Sequence, residues 1–509
     1  MSVRIDGRHL AIEQVEQVAR QQAQLEIEQS SFGAIERSQK FLQQLVDSGE
    51  AIYGVTTGIG EFARIRIDAG QSGELQRRII YSHAAGTGDV QPAEVVRAAM
   101  ACRLNTFAMG YSGIRRSTVE TYLAMLNRGV VPVVYEKGSV GCSGDLSPLS
   151  QLTLVVIGDG EAFYQGERLP GAEAMQRAGL EPVKLVHKEG LALINGTEMM
   201  CGEAALQLYD TARLYKNALI AYAMALDALK AVEAAFDERV HELRPYPGSI
   251  AAAAALRALW QGSGIMAGKS GKVQDGYSMR CAAQIFGASL DSYHFARRQI
   301  ETELNSAIDN PLFFAEDGVY IAAGNFHGQP VAMSMDFMAI ATAEVASLAE
   351  RHTNRLLNPA LSNGLPDFLI EGRGLNSGMM VAQYTQAALI SENRVLAHPA
   401  VVDNISVSAD QEDHVNMGPV AVRKYKEILK NTWTVVAIEM YCAAQAMDFR
   451  KPLMPGVGTG AAYGAIRQHV PFMEDDRPLV YDIEKITELV TSGAILEAVE
   501  AEVGEVAIT

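Results

Sequence analysis

Cysteine is scarce and irregularly placed: Cys102, Cys142, Cys201, Cys281 and Cys442 are the only five in 509 residues. The count is odd and no two share a metal-ligand spacing. Neither a disulfide framework nor a metal cluster is expected, and a reducing cytoplasm is the expected compartment. Cations are also in short supply. Lys plus Arg total 43 against 60 Asp plus Glu, a net charge of −17. That balance argues against gripping a nucleic-acid backbone or resting on an anionic membrane, and it reads as a solubilising surface. No run of 18 apolar residues occurs, so no membrane span is expected. Met1-Ser2-Val3-Arg4-Ile5-Asp6 leads into polar sequence without an apolar leader core, so no secretory signal is expected. Disorder is excluded as well: 48% hydrophobic and 20% charged residues are globular proportions. They suit a large core, or an oligomer that hides extra surface.

Residues 11–50 read as two helices, the second carrying Ile35, Phe41, Leu42 and Leu45 at helical spacing. Glycines 54, 58 and 60 then break the pattern, and Arg64-Ile65-Arg66-Ile67 alternates like a short strand. A second glycine-rich break holds Gly138, Gly141 and Gly144, and 158–185 resembles a small hairpin. Beyond this the apolar period becomes helical over long stretches: 203–236, 279–306, 330–357, 376–397 and 418–448. Stretches so far above the mean helix length predict a helical bundle. The expected fold is mainly α, a long-helix bundle core with a smaller mixed N-terminal region carrying the active-site loops. The expected divisions are 1–202, 203–450 and a C-terminal helical segment 451–509.

Three short motifs point in misleading directions. Gly58-Ile59-Gly60-Glu61-Phe62-Ala63 fits a dinucleotide pattern, but no amphipathic helix opens there and no βαβ series follows. Gly141-Cys142-Ser143-Gly144-Asp145 approaches a nucleophile elbow, but Asp145 stands where the elbow needs Gly. Asp410-Gln411-Glu412-Asp413-His414 is rich in possible ligands, yet adjacent residues cannot all face one ion and no companion His or Cys spacing supports a metal. The cluster is expected to open the long helix over 418–448, where carboxylates favour an N-terminus.

Gly138-Ser139-Val140-Gly141-Cys142-Ser143-Gly144-Asp145-Leu146-Ser147-Pro148-Leu149 is the most specific segment. Cys142-Ser143-Gly144 places small side chains in a glycine-rich bend. Gly144 lets its own nitrogen approach the preceding carbonyl without a Cβ clash. Cyclisation there, with loss of water from Ser143, would leave an electrophilic methylene built from backbone. An ordinary loop at a helix start is equally compatible with these residues alone. The segment resembles the signature of the histidine and aromatic amino-acid ammonia-lyases, in which an Ala-Ser-Gly triad becomes a methylidene-imidazolone (MIO) group. Further strings resemble that family in the same order. They are Tyr53-Gly54-Val55-Thr56-Thr57-Gly58-Ile59-Gly60, Ser82-His83-Ala84-Ala85-Gly86 (as in the histidine branch), Gly190 through Thr197, Gln274 through Cys281, Asp309-Asn310-Pro311, Gly324 through His327 and Gln411 through Val415. Four positions depart from the pattern: Cys142 for Ala, Gly276 for Pro, Asp410 for Asn, and Gln151 for a frequent His.

The resemblance implies elimination of ammonia from an aromatic L-amino acid, with histidine favoured. Tyrosine or phenylalanine elimination and aromatic 2,3-aminomutation are the alternatives within the fold, and a catalytically silent helical scaffold is the alternative outside it. MIO would form from Cys142, Ser143 and Gly144, with no external cofactor and no metal. Tyr53 would be the base, although a phenol of ordinary pKa about 10 must be lowered to act near neutrality. Asn195, Tyr277 and Gln274 would line the amine and the electrophile, and Arg280 would clamp the carboxylate in bidentate fashion. Phe326 would pack near MIO, and His83 and Glu412 would face the ring. Singly, these residues read as well as a turn tyrosine, an ion-pair arginine or a core histidine. The family further implies a homotetramer whose active sites draw on several subunits, with a small amino acid as ligand and no nucleic acid or membrane partner.

Overall fold

The computed structural model describes residues 2–268 and 271–508. The fold is mainly α, as the periodicity predicts, and its strands are short. The predicted long stretches are helices Glu198–Ala228, Ala282–Leu304, Gln329–Leu357, Met380–Leu396 and Gly418–Asp448. The first stops well before residue 236 because Lys230 takes a left-handed φ of 52°, which a helix cannot continue through. Gln329–Leu357 is long and apolar enough to cross a bilayer, and 67% of its most apolar window is buried within the protein.

The chain groups into two compact units. The first comprises Met1–Tyr209, Ala296–Asp336 and Pro399–Arg423. Its N-terminal strands Ser2–Ile5 and Gln24–Ile27 pair in parallel, Val3 against Leu25 and Ile5 against Ile27, with those four side chains buried. The helix Ile12–Ala19 connects them. Helix Ala93–Ala108 is buried on all sides from Val95 onward, so it carries no amphipathic signal. Its buried arginines are held by carbonyls and a carboxylate. Arg97 donates to the carbonyls of Val18, Ala19 and Leu126, and Arg103 meets Glu198 at 2.5 Å. The expected hairpin is Glu161–Tyr164 with Glu167–Pro170, turned by Gln165 and Gly166, both at positive φ as a two-residue turn requires.

Two local expectations are corrected. Residues 64–67 form no strand: Gly60–Arg64 is a 3-10 turn and one bridge joins Thr57 to Arg66. Alternation alone does not make a strand without a partner edge, and Ile65 stays 53% exposed. Asp410–His414 does not open a helix either. That cluster lies in a turn with Ser408, Ala409 and Asp410 at positive φ. The helix begins at Gly418, where Asn416 Oδ1 accepts the Gly418 N–H at 2.8 Å and Pro419 suits a first helical turn.

The second unit comprises Asp210–Phe295, Phe337–His398 and Lys424–Thr509. Its interior is apolar, with several of its buried polar groups paired with one another. Tyr215 and Tyr425 both meet the Thr342 hydroxyl at 3.0 Å, and His352 meets Glu439 at 2.7 Å with both side chains fully buried. Asp227 accepts from Ser263, Thr459 and the Gly456 N–H.

Candidate functional site

Residues 138–145 form a compressed turn directly before helix Leu146–Val156. Gly141, Ser143 and Gly144 have φ of 82°, 48° and 75°. Glycine tolerates such values freely, and serine adopts them at a cost. A Cβ on Gly144 would overlap the Gly196 carbonyl, and one on Gly141 would overlap the Asn416 amide. The turn is braced from outside. Asn416 Nδ2 donates to Gly141 O at 2.7 Å, the Asp145 N–H to Gly196 O at 2.6 Å, and the Met417 N–H to Val140 O at 2.9 Å. Asp145 is buried, and its carboxyl accepts the Met200 N–H at 2.9 Å. Burial holds that carboxyl well above the ordinary range, and Glu198 and Glu203 add to the effect.

In front of this turn lies a cavity of about 780 Å³ within the first unit, a size suited to a small molecule. Tyr53, His83, Cys142, Ser143, Asn195, Phe326 and Glu412 all line it. These come from six separate stretches of chain, so the structure brings together most of the residues singled out from sequence. The Tyr53 loop is held by local hydroxyls and by Gln76, whose Nε2 donates to Gly54 O at 2.9 Å and whose Oε1 accepts the Leu191 N–H at 3.0 Å. Tyr53 Oη accepts the Gly60 N–H at 3.0 Å. Burial pushes the phenol up, the Gly60 N–H opposes this, and the Glu412 charge adds to the rise. This is opposite to the lowering that a base near neutrality needs.

His83 Nδ1 lies 2.9 Å from Ile79 O. The Ser82 hydroxyl lies 2.9 Å from the same nitrogen, so the donor and acceptor roles of the ring follow its tautomer. Glu412 sits on a turn closed by pairing with Val407 and shares the cavity lining with the Cys142 thiol. Burial, then the Glu412 charge, pushes that thiol up to about 12. His327, His414 and Asn310 also line the cavity. Each stood inside a quoted motif without an assigned role.

Gln274, Tyr277 and Arg280 are not among the lining residues. They cluster with one another in the second unit. Arg280 Nη1 donates to Gln274 Oε1 at 2.9 Å, and its guanidinium lies 4.8 Å from the centre of the Tyr277 ring. Tyr277 is 71% exposed. No Lys or Arg is among the lining residues, so a substrate carboxylate there would have no cation from these groups. Two departures from the family pattern have local causes. The Arg355 guanidinium occupies the space a Cβ on Gly276 would need, so a larger residue there would require that arginine to move. Asp410 has φ of 63°, a region Asp and Asn share.

A family model described as aromatic amino acid lyase matches residues 10–468. The histidine ammonia-lyase of Alkaliphilus oremlandii is 48% identical over 500 residues, 98% of each chain. That of Gloeobacter violaceus is 50% identical over 502 residues, again 98% of each. Among solved structures, histidine ammonia-lyase from Trypanosoma cruzi matches with a TM-score of 0.91 at 37% identity, covering 99% of this chain and 96% of the other. Tyrosine aminomutase from Streptomyces globisporus matches with a TM-score of 0.94 at 36% identity, covering 99% of both.

Proposed function

The chain belongs to the aromatic amino acid lyase family, carbon–nitrogen lyases, and on that footing we propose that it eliminates ammonia from L-histidine to give urocanate in the cytoplasm. The observation that carries the choice of substrate is that Glu412, an acceptor when ionised, and the His83 imidazole with its ring nitrogens line the same cavity as Ser143. An imidazole N–H satisfies such an acceptor with a charge-assisted bond, whereas a phenyl ring would leave the carboxylate unpaired. The names of the relatives support the same choice.

The turn at Cys142-Ser143-Gly144 suits formation of MIO. Its glycine is demanded by the Gly196 carbonyl, its bend is braced on three sides, and Ser143 borders the cavity. MIO, once formed, supplies the electrophile that makes the amine a leaving group. Tyr53 accepts the β-hydrogen. His83 and Glu412 hold the ring, Asn195 holds the amine, and Phe326 packs beside the triad. Arg280, Tyr277 and Gln274 reach the site from a neighbouring copy in a homotetramer, where Arg280 supplies the cation that the lining lacks and binds the carboxylate in bidentate fashion.

The test is kcat/KM for histidine, tyrosine and phenylalanine on the wild type and on Glu412→Gln, with acrylate products followed by absorbance. Histidine is expected to lead, tyrosine to follow and phenylalanine to trail. Glu412→Gln should narrow the histidine-to-phenylalanine ratio by about tenfold or more, since a neutral amide pairs less strongly with imidazole and is cheaper to leave against a phenyl ring. Phenylalanine as the best wild-type substrate would overturn the assignment. An unchanged ratio would remove Glu412 from ring recognition.

A further inference from the structure

The orientation of Asn195 is set by groups outside the cavity. Its Nδ2 donates to Asp309 Oδ1 at 3.2 Å and to Asn310 O at 3.0 Å. An ionised carboxylate and a carbonyl both only accept. The amide therefore cannot turn over without setting oxygen against oxygen. With both amide hydrogens engaged, Oδ1 is the atom that Asn195 offers to the cavity it lines. An acceptor at that position fits an N–H of an α-amine.

Lys188 keeps Asp309 an acceptor. Its Nζ stands 2.5 Å from Asp309 Oδ1, and both side chains are 0% exposed. The same oxygen accepts the Asn310 N–H at 2.7 Å. Without a cation, a carboxylate buried this deeply would take up a proton. It could then donate, and the Asn310 carbonyl alone would oppose the reversed Asn195 orientation. Sequence and fold build the arrangement simply. Lys188 and Asn195 bracket the helix Glu189–Ile194, Lys188 entering it at φ 66° and Asn195 leaving it in extended conformation. The two residues thus stand at opposite ends of one short helix, and Asp309 meets both. Burial pulls the Lys188 ammonium down to about 8 against the support of Asp309, and Arg103 adds to the fall.

We propose that Lys188 is a positioning residue for the elimination: by holding Asp309 as a pure acceptor, it turns the Asn195 carbonyl oxygen toward the substrate's amine. This rests on the lyase reading above and adds a residue that touches no reacting atom. The test is Lys188→Met combined with Asp309→Asn in the full-length protein, which removes both charges together so that neither is left buried alone. Thermal melting and intact mass check that the variant folds and still loses two waters at 142–144. Its turnover of histidine is expected to fall about tenfold or more, the scale of losing one oriented hydrogen bond to a charged group. Calorimetry in a Ser143→Ala background separates positioning from general loosening. L-histidine should bind about fivefold or more weakly, while imidazolepropionate, with the same ring and carboxylate but no amine, should change less than about twofold. Should the paired variant fold poorly, Asp309→Asn alone is expected to show the same split, because without the Asp309 charge that supports its ammonium the buried Lys188 sheds its proton more readily. Turnover within twofold of wild type, or equal weakening of both ligands, would overturn the proposal. A wild type inactive on histidine, tyrosine and phenylalanine would instead overturn the lyase reading.

Discussion

Ser143→Ala is expected to leave a folded protein that melts close to wild type, shows no loss of water at 142–144 and turns over roughly 10³-fold more slowly or worse. Alanine is as strained as serine at a φ of 48°, and the Ser143 side chain borders the cavity rather than filling a core position, so folding loses little. The chemistry loses the Ser143 hydroxyl, the leaving group whose departure as water creates the methylene. Cys142→Ala is the control. Its side chain lies outside the ring that the backbone would form, so cyclisation should persist and activity should stay within a few-fold. It also removes a thiol that shares the cavity lining with Glu412. Peptide mass spectrometry with parallel assay checks both variants. Near-wild-type turnover in Ser143→Ala would sink the electrophile. A Cys142→Ala protein that keeps its full mass would show that the thiol takes part in closing the ring.

The long helices were legible because an apolar face repeated over twenty or more residues has no competing interpretation. Helix Ala93–Ala108 was not legible in that way: burial on all sides erases periodicity. The strand pair Ser2–Ile5 and Gln24–Ile27 was missed because each is four residues long and its partner lies across a helix. At the site, family strings brought Tyr53, His83, Ser143, Asn195, Phe326 and Glu412 to one cavity. No local pattern marks Lys188 or Asp309 as a pair, because their contact at 2.5 Å joins positions 121 apart in the chain. The compressed turn shows the same limit. Gly144 reads as permissive in sequence, whereas the Gly196 carbonyl that makes it obligatory arrives from a distant loop. The interleaving of three chain stretches in each compact unit is likewise a property of long-range contact, which composition does not record.

Tyr53→Phe is expected to fold normally and to slow turnover by roughly 10²- to 10⁴-fold, the range over which a positioned base acts. The ring remains to fill its space. The lost hydrogen bond from the Gly60 N–H costs only about 1 kcal/mol of stability. The pH dependence carries the sharper test. A phenolate base works only when deprotonated, so the rate rises with pH through the pKa of Tyr53. Burial and the Glu412 charge raise that pKa and move the ascending limb to higher pH. Glu412→Gln deletes one of the two raising causes, so its limb should shift to lower pH while Tyr53→Phe loses the limb altogether. A guanidinium contributed by a neighbouring copy would oppose that rise. Dilution that separates the subunits should therefore abolish the rate at neutral pH, as sedimentation with parallel assay can measure. A Tyr53→Phe enzyme slowed only a few-fold would assign the base to another residue. A Glu412→Gln limb moving to higher pH would mean that the titrating group is not a phenol facing that carboxylate.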